Sequence, residues 1–164
     1  MMSPGQNEKL RDALLGEDHL GAVIKGHLYI EAAVNLIIEL LLPYPNEFRL
    51  QRLQWGKKVE LVLALGLSDE FKKPLNQLGD IRNKFAHNPE AELTDDMLNG
   101  FYGALSGGDR SLVLRAYKLT EKMVENPMEV AFKKLALKNQ FSLIVVTIHE
   151  LLVITIEELS GRGH

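Results

Sequence analysis

The stretch LIVVTIHELLVITI, residues 143–156, decides the fold of this chain. It is apolar around most of the circumference of a helix, although its first part, Leu143 to Ile148, is rich in β-branched residues that also suit a strand. Its flanks lack turn signals and its length suits a helix, so we predict a helix here. A helix of this kind is usually central in a bundle or lies at a dimer interface.

The remaining chain has helical spacing almost throughout, punctuated by glycine, proline and capping residues. Asp18 and Thr94 are predicted helix N-caps, Gly56 is a potential break, and residues 106–109 are a predicted loop. Helical stretches are predicted at about 6–15, 19–42, 46–65, 69–88, 95–105, 110–124 and 128–159. We therefore expect an all-α fold: a single-domain helical bundle of about six helices over residues 1–164, with a long C-terminal helix and flexible ends at about 1–5 and 160–164.

Composition limits the functional classes. A chain of 164 residues is long enough to form one hydrophobic core. Its content of 46% hydrophobic and 25% charged residues is typical of a soluble globular protein. The net charge of −3 argues against a general nucleic-acid binder, which normally carries a basic excess. The absence of cysteine excludes disulfides and thiolate chemistry. The first residues lack the features of a signal peptide, and the apolar run 141–156 is too short to span a bilayer, so we expect a cytoplasmic protein.

The segment Arg82-Asn83-Lys84-Phe85-Ala86-His87 carries a cation, an amide and an imidazole within about one and a half helical turns. Arg82 lies inside the apolar arc of its helix, whereas Asn83 and His87 share a neighbouring face. Arg82 and His87 are about 140° apart on an ideal helix. They converge on one site only if the helix end distorts near Asn88, or if a second copy of the chain supplies one of them.

A second polar group lies on the apolar stripe of the second helix. His27, Glu31 and Asn35 are spaced i, i+4 and i+8 there, and we expect Glu31 to pair with Arg82 at a distance below about 4 Å. Other interpretations stay open. Arg82 could instead extend its charged head into solvent or serve a ligand or a reaction, His87 could stabilise a helix C-terminus, and His27 and Glu31 are more often polar core residues than ligands.

Other site chemistries find little support in the sequence. The histidines and acidic residues match no recognised metal spacing, so no metal or cofactor is predicted. The segment around Gly107 and Gly108 lacks the ending of a phosphate-binding loop, and no serine sits in a nucleophile elbow. Trp55, Lys57 and Lys58 could mark a contact surface, although a single tryptophan at helical spacing is more often part of the core.

Arg82, Asn83 and His87 together resemble the R-(polar)-x-x-x-H signature of HEPN domains. These are all-helical, usually dimeric modules, and many are metal-independent endoribonucleases. The resemblance implies that His87 would serve the attack of the 2′-oxygen on the adjacent phosphate, that Arg82 would stabilise the developing phosphorane charge, and that Asn83 would support the site. In that family the arginine and histidine of both protomers line a shared cleft.

A second resemblance covers most of the chain, which is similar to the mannitol operon repressor family of small helical bacterial regulators. It is carried by Ile30-Glu31-Ala32-Ala33-Val34-Asn35-Leu36-Ile37, Leu63-Ala64-Leu65-Gly66-Leu67, the Ile81 to His87 segment, and Leu93-Thr94-Asp95-Asp96-Met97-Leu98. The family acts in transcriptional repression, and no recognisable helix-turn-helix is evident here.

Together these observations favour a homodimeric transcriptional regulator that acts through protein or ligand contacts, with His27, Glu31, Asn35 and Arg82 as its polar cluster. The alternative is a HEPN-type metal-independent endoribonuclease or toxin with RNA as substrate, for which Arg82, Asn83 and His87 are the catalytic set. A purely structural module is a third interpretation.

Overall fold

The computed structural model of the protein describes residues 4–121 and 132–161. The α-helices of these ranges are α1 (Pro4–Leu15), α2 (His19–Leu41), α3 (Trp55–Ala64), α4 (Lys72–His87), α5 (Asp95–Ala104), α6 (Gly107–Glu121) and α7 (Leu137–Gly161). Short 3₁₀ turns lie at Pro45–Glu47, Leu50–Arg52 and Asp69–Phe71. The described residues form no strand, so the predicted all-α class is confirmed, with seven α-helices in these ranges rather than about six.

The stretch 143–156 is helical and lies within α7, so the helical interpretation is confirmed and the strand alternative is wrong. Residues 140–148 are buried without interruption. Because successive residues of a helix point in different directions, this run of burial means that α7 is enclosed on all sides over its first half. The β-branched residues there therefore pack among neighbouring helices rather than in a sheet.

Local capping chemistry sets several helix starts as predicted. The Asp18 carboxylate accepts a hydrogen bond of 2.7 Å from the Gly21 amide at the start of α2. The Thr94 hydroxyl accepts one of 3.2 Å from the Met97 amide at the start of α5. The predicted loop at 106–109 is wrong in part, since α6 begins at Gly107. The Ser106 hydroxyl accepts a hydrogen bond of 3.1 Å from the Asp109 amide at the start of this helix.

The predicted helix at 46–65 is wrong in its first half. Residues 46–54 form two 3₁₀ turns with extended residues between and after them, and α3 begins only at Trp55. Leu50 is buried in this segment and anchors it to the core. We infer that this tertiary anchor outweighs the helical spacing of the sequence. Gly56 is no break, because it lies in the first turn of α3.

The last helix also differs from the prediction of 128–159. Residues 134–136 are not helical, and α7 begins at Leu137. The Gln140 side chain stabilises this junction by donating hydrogen bonds of 3.0 and 2.9 Å to the carbonyls of Lys133 and Leu135. The predicted boundaries at Val124 and Met128 lie outside the described residues. Of the ends expected to be flexible, residues 4–5 and 160–161 are helical, and the others lie outside the described residues.

The helices form a bundle around α2 and α7, which pack along each other. α1, α5 and α6 also contact α7, whereas α3 and α4 lie against α2. Gly26 permits a close approach of the two central helices, because a Cβ there would lie 3.1 Å from the Phe141 ring. The amphipathic α4 buries Leu75, Leu78 and Phe85 against this core. Its opposite side is left facing outward beside α2 and the start of α3.

By length and composition α2 could cross a membrane, but half of its most apolar window is buried inside the bundle. The core helix of a soluble protein passes the same test. In the part of the chain that the structure describes, α2 is the one helix that is long and apolar enough to cross a membrane.

Candidate functional site

A concave cavity of about 540 Å³ opens between α2, the beginning of α3 and α4. This volume is within the usual range of small-molecule sites. The cavity wall is mainly polar, and three segments of the chain contribute to it. Its lining residues are His27 and Glu31 of α2, Leu53, Gln54, Trp55 and Gly56 around the start of α3, and Asn76, Gly79, Asp80, Arg82, Asn83 and His87 of α4.

The three residues of the predicted catalytic set, Arg82, Asn83 and His87, all line this cavity. Arg82 is half-buried, and the other two are exposed. The helix continues through His87, so no distortion before that residue and no second copy are needed to bring the Arg82 and His87 side chains to one cavity. The cavity is broad enough to be bounded by residues about 140° apart on α4.

Arg82 makes one modest polar contact, from Nη1 to the Oδ1 atom of its neighbour Asn83 at 3.4 Å. Among the described residues it forms no ion pair with Glu31, and the predicted Glu31–Arg82 pair is wrong. Glu31 instead lies 3.5 Å from the Nζ atom of Lys58. Lys58 is buried on α3, which packs on α2, and a buried ammonium group needs a carboxylate partner. The guanidinium of Arg82 is thereby left at the cavity wall.

His27 forms the inner wall of the cavity and is only 3% exposed. Burial lowers its pKa from 6.5 to about 4, the nearby Glu31 carboxylate opposes this shift, and Arg82 and Lys58 reinforce it. The imidazole is therefore neutral near pH 7. Its ring meets the Trp55 ring edge-on with 4.6 Å between centroids, and its buried Nε2 atom has no hydrogen-bond partner among the described residues.

Trp55 is a fixed part of the wall that sequence reasoning did not assign to the site. Its Nε1 atom donates a hydrogen bond of 3.0 Å to the Leu75 carbonyl of α4. A Cβ at Gly79 would lie 2.5 Å from the Trp55 ring, so the absence of a side chain at this position lets the indole pack against α4. The indole is thus held from two sides and bridges α3 to α4.

The fourth member of the predicted polar cluster, Asn35, does not line the cavity. Asn35 is half-buried and lies about two turns after His27 on α2. Its Oδ1 atom is buried without a hydrogen-bond partner among the described residues. The structure thus brings His27, Glu31 and Arg82 together and leaves Asn35 apart. Within the described ranges no group of three or more histidine, aspartate or glutamate side chains is placed to hold a metal ion.

Two polar residues of the site, Asn76 and Asp80, were missed although the sequence contains a signal for them. Asn76, Asp80, Asn83 and His87 are spaced i, i+4, i+7 and i+11, which aligns them along one ridge of α4. A polar ridge of this length on a helix with an opposite apolar face indicates a surface that is not packed. The sequence contains no such signal for Gln54 and Trp55, because these residues come close to α4 only when α3 packs against it in the folded protein.

Comparison of the chain with models of protein families, with characterised proteins and with solved structures found no match.

Proposed function

We propose that this chain is a cytoplasmic transcriptional regulator, similar to the mannitol operon repressor family, that acts through protein or ligand contacts rather than through a helix-turn-helix. The observation that carries the proposal is the polar cavity, in which His27 and Glu31 of α2 meet Arg82 of α4. A well-formed cavity in which polar side chains converge, with a titratable group of shifted pKa in its wall, is a candidate ligand-binding site. The net charge of −3 favours a regulator that does not hold nucleic acid over a broad surface.

A second candidate function is metal-independent RNA cleavage. The observation that favours it is that Arg82, Asn83 and His87 line one cavity and that no carboxylate of the described residues neutralises the guanidinium. His87 would accept the proton of the ribose 2′-hydroxyl as that oxygen bonds to the adjacent phosphorus, and Arg82 would stabilise the charge that develops on the phosphorane. The bond from phosphorus to the 5′-oxygen would then break, and the leaving 5′-oxygen would take a proton from water or from the protonated imidazole. These roles rest on the resemblance to HEPN domains.

We also propose that the protein is a homodimer. Tyr29, Leu36 and Leu40 share one line of α2, and each is more than 40% exposed. This line borders an apolar groove of about 470 Å³ that Val153 and Ile156 of α7 complete on the other side. An exposed apolar surface on two adjacent helices is typical of an interface.

One comparison in cells separates the two candidate functions. Cells lacking the gene would be complemented with the wild-type protein or with Arg82→Gln, and the synthesis rate and the half-life of each responding transcript would be measured. A regulator changes synthesis rates and leaves half-lives unaltered, whereas a ribonuclease shortens half-lives. If neither quantity responds to the wild-type protein, both functions are refuted.

Purified protein gives an independent test of the second candidate. Wild type and His87→Ala would be incubated with RNA in the presence of EDTA. RNA cleavage by the wild type that disappears in the variant supports metal-independent chemistry at His87. Intact RNA with both proteins removes the ribonuclease candidate.

A further inference from the structure

We propose that the cavity between α2, α3 and α4 binds a small organic anion, whose phosphate or carboxylate group contacts Arg82 and whose hydroxyl groups contact the amide and carboxylate side chains beside it. The inference rests on the proposed regulatory function and deepens it by naming the class of ligand. The cavity volume of about 540 Å³ sets the size of such a molecule to that of a metabolite rather than a macromolecule.

The charges around the cavity favour an anion at Arg82. Glu31 is paired with Lys58 at 3.5 Å, so its negative charge is already balanced. Asp80 and Arg82 are two residues apart on α4, which places them about 160° apart around the helix. Among the described residues no carboxylate forms an ion pair with the guanidinium, which therefore remains available at the cavity wall for charge-assisted hydrogen bonds to an anion.

The remaining polar groups suit hydroxyl groups rather than a second charge. Gln54 and Asn76 offer both amide donors and carbonyl acceptors, and Asp80 accepts from hydroxyls. Burial keeps the inner wall neutral at His27, so no further positive charge is added there. The cavity thus combines one cation with several neutral or acceptor groups.

The same pattern argues against a long polyanion in this cavity. No lysine lines it, and its wall carries the Asp80 carboxylate beside Glu31, whose charge Lys58 balances, so successive phosphates would meet repulsion at Asp80. A small molecule with one anionic group can turn that group to Arg82 and its hydroxyls to the carboxylates. A strand of nucleic acid cannot separate its charges in this way.

Trp55 provides a direct readout of binding, because it is the single tryptophan of the chain and part of the cavity wall. Its fluorescence would be titrated at constant ionic strength with four probes: glycerol 3-phosphate, glycerate, inorganic phosphate and glycerol. Calorimetry would give the same affinities independently of the fluorophore. The first two probes distinguish a phosphate from a carboxylate, and the last two separate the anionic group from the hydroxyls.

We expect saturable binding of glycerol 3-phosphate, of glycerate or of both, weaker binding of inorganic phosphate and none of glycerol. Arg82→Gln should weaken binding by about tenfold to a hundredfold, because hydrogen bonds to charged groups contribute roughly that much. Arg49→Gln is the matched control, since Arg49 lies on a different cavity and should leave the affinity unchanged. Asn76→Ala provides a second variant should Arg82→Gln fail to fold, and it should also weaken binding because it removes an amide that contacts the hydroxyl groups.

Three outcomes would overturn the inference. The first is an absence of saturable binding of both organic anions at millimolar concentrations, and the second is equal affinity of the Arg82 variant and the wild type. The third is binding of inorganic phosphate that is as tight as that of the organic anion with the higher affinity. If the anions do not bind but transcript synthesis still depends on the protein, the regulatory function stands and only the ligand class is wrong.

Discussion

At the scale of the residue, His27 makes folding stability depend on pH. Its pKa is about 4 in the folded protein and 6.5 ordinarily, so between these values the unfolded chain binds a proton that the folded chain does not. Stability is therefore lost as pH falls from 6.5 to 4, by at most about 3 kcal/mol, and changes no further through this group below that range.

We expect His27→Gln to remove this part of the acid sensitivity. Urea unfolding of wild type and variant at pH 7 and pH 4.5 would measure it. Protonation of other groups at pH 4.5 lowers the unfolding free energy of both proteins. The difference between the two losses therefore isolates the contribution of His27. The same loss of unfolding free energy in both proteins would show that the imidazole is not held neutral by burial.

The ion pair between Lys58 and Glu31 also contributes to stability at the scale of single residues. Glu31→Gln would leave the buried Lys58 charge without its partner and should lower the free energy of unfolding by about 1–3 kcal/mol. The double variant Glu31→Gln with Lys58→Met should recover much of this loss, because it removes the buried charge as well. A double-mutant cycle from urea unfolding tests both statements. Additive effects would mean that the two side chains do not interact.

At the scale of the element, the join between α3 and α4 depends on the small size of one residue. Gly79→Ala would bring a Cβ to 2.5 Å from the Trp55 ring, which its hydrogen bond to Leu75 holds in place. The resulting overpacking should destabilise the protein by about 1–3 kcal/mol, against a gain of at most about 1 kcal/mol in helix propensity. Thermal unfolding and the fluorescence of Trp55 would both report the change.

Gly103→Ala is the control for that substitution. It makes the same change within α5, where the new Cβ would meet no atom of the described residues within 4 Å beyond the helix's own backbone, so it should be neutral or slightly stabilising. If the variant at Gly79 were as stable as this control, the indole would not be a fixed wall of the cavity.

The elements also show where sequence reasoning succeeds. Helix starts at Asp18 and Thr94 were predictable because capping is a hydrogen bond between residues three apart. The split at 46–54 was not, and we infer that the reason is the burial of Leu50 in the core, which no pattern within the segment shows. The start of α7 is stabilised by a contact within the chain segment itself, since the Gln140 side chain donates hydrogen bonds to the carbonyls of Lys133 and Leu135 just before the helix.

At the scale of the whole molecule, the apolar line on α2 leads to a prediction about assembly. Sedimentation equilibrium at micromolar concentration should show a dimer, and Leu36→Glu should give a monomer by placing a charge in the interface. Leu112→Glu introduces the same charge at an exposed leucine of α6 and should leave the dimer intact. A wild-type protein that sediments only as a monomer would contradict the proposed homodimer.

The sequence by itself determined the helical class, the helical nature of 143–156 and the polar character of the face of α4 that carries Asn83 and His87. These properties follow from periodicity and from contacts within one or two helical turns, which a single chain segment contains. Only the tertiary structure decided that Glu31 pairs with Lys58 rather than with Arg82, and that Trp55 closes the cavity. Pairing of buried charges and the walls of a cavity depend on which helices become neighbours, and no local pattern specifies that choice.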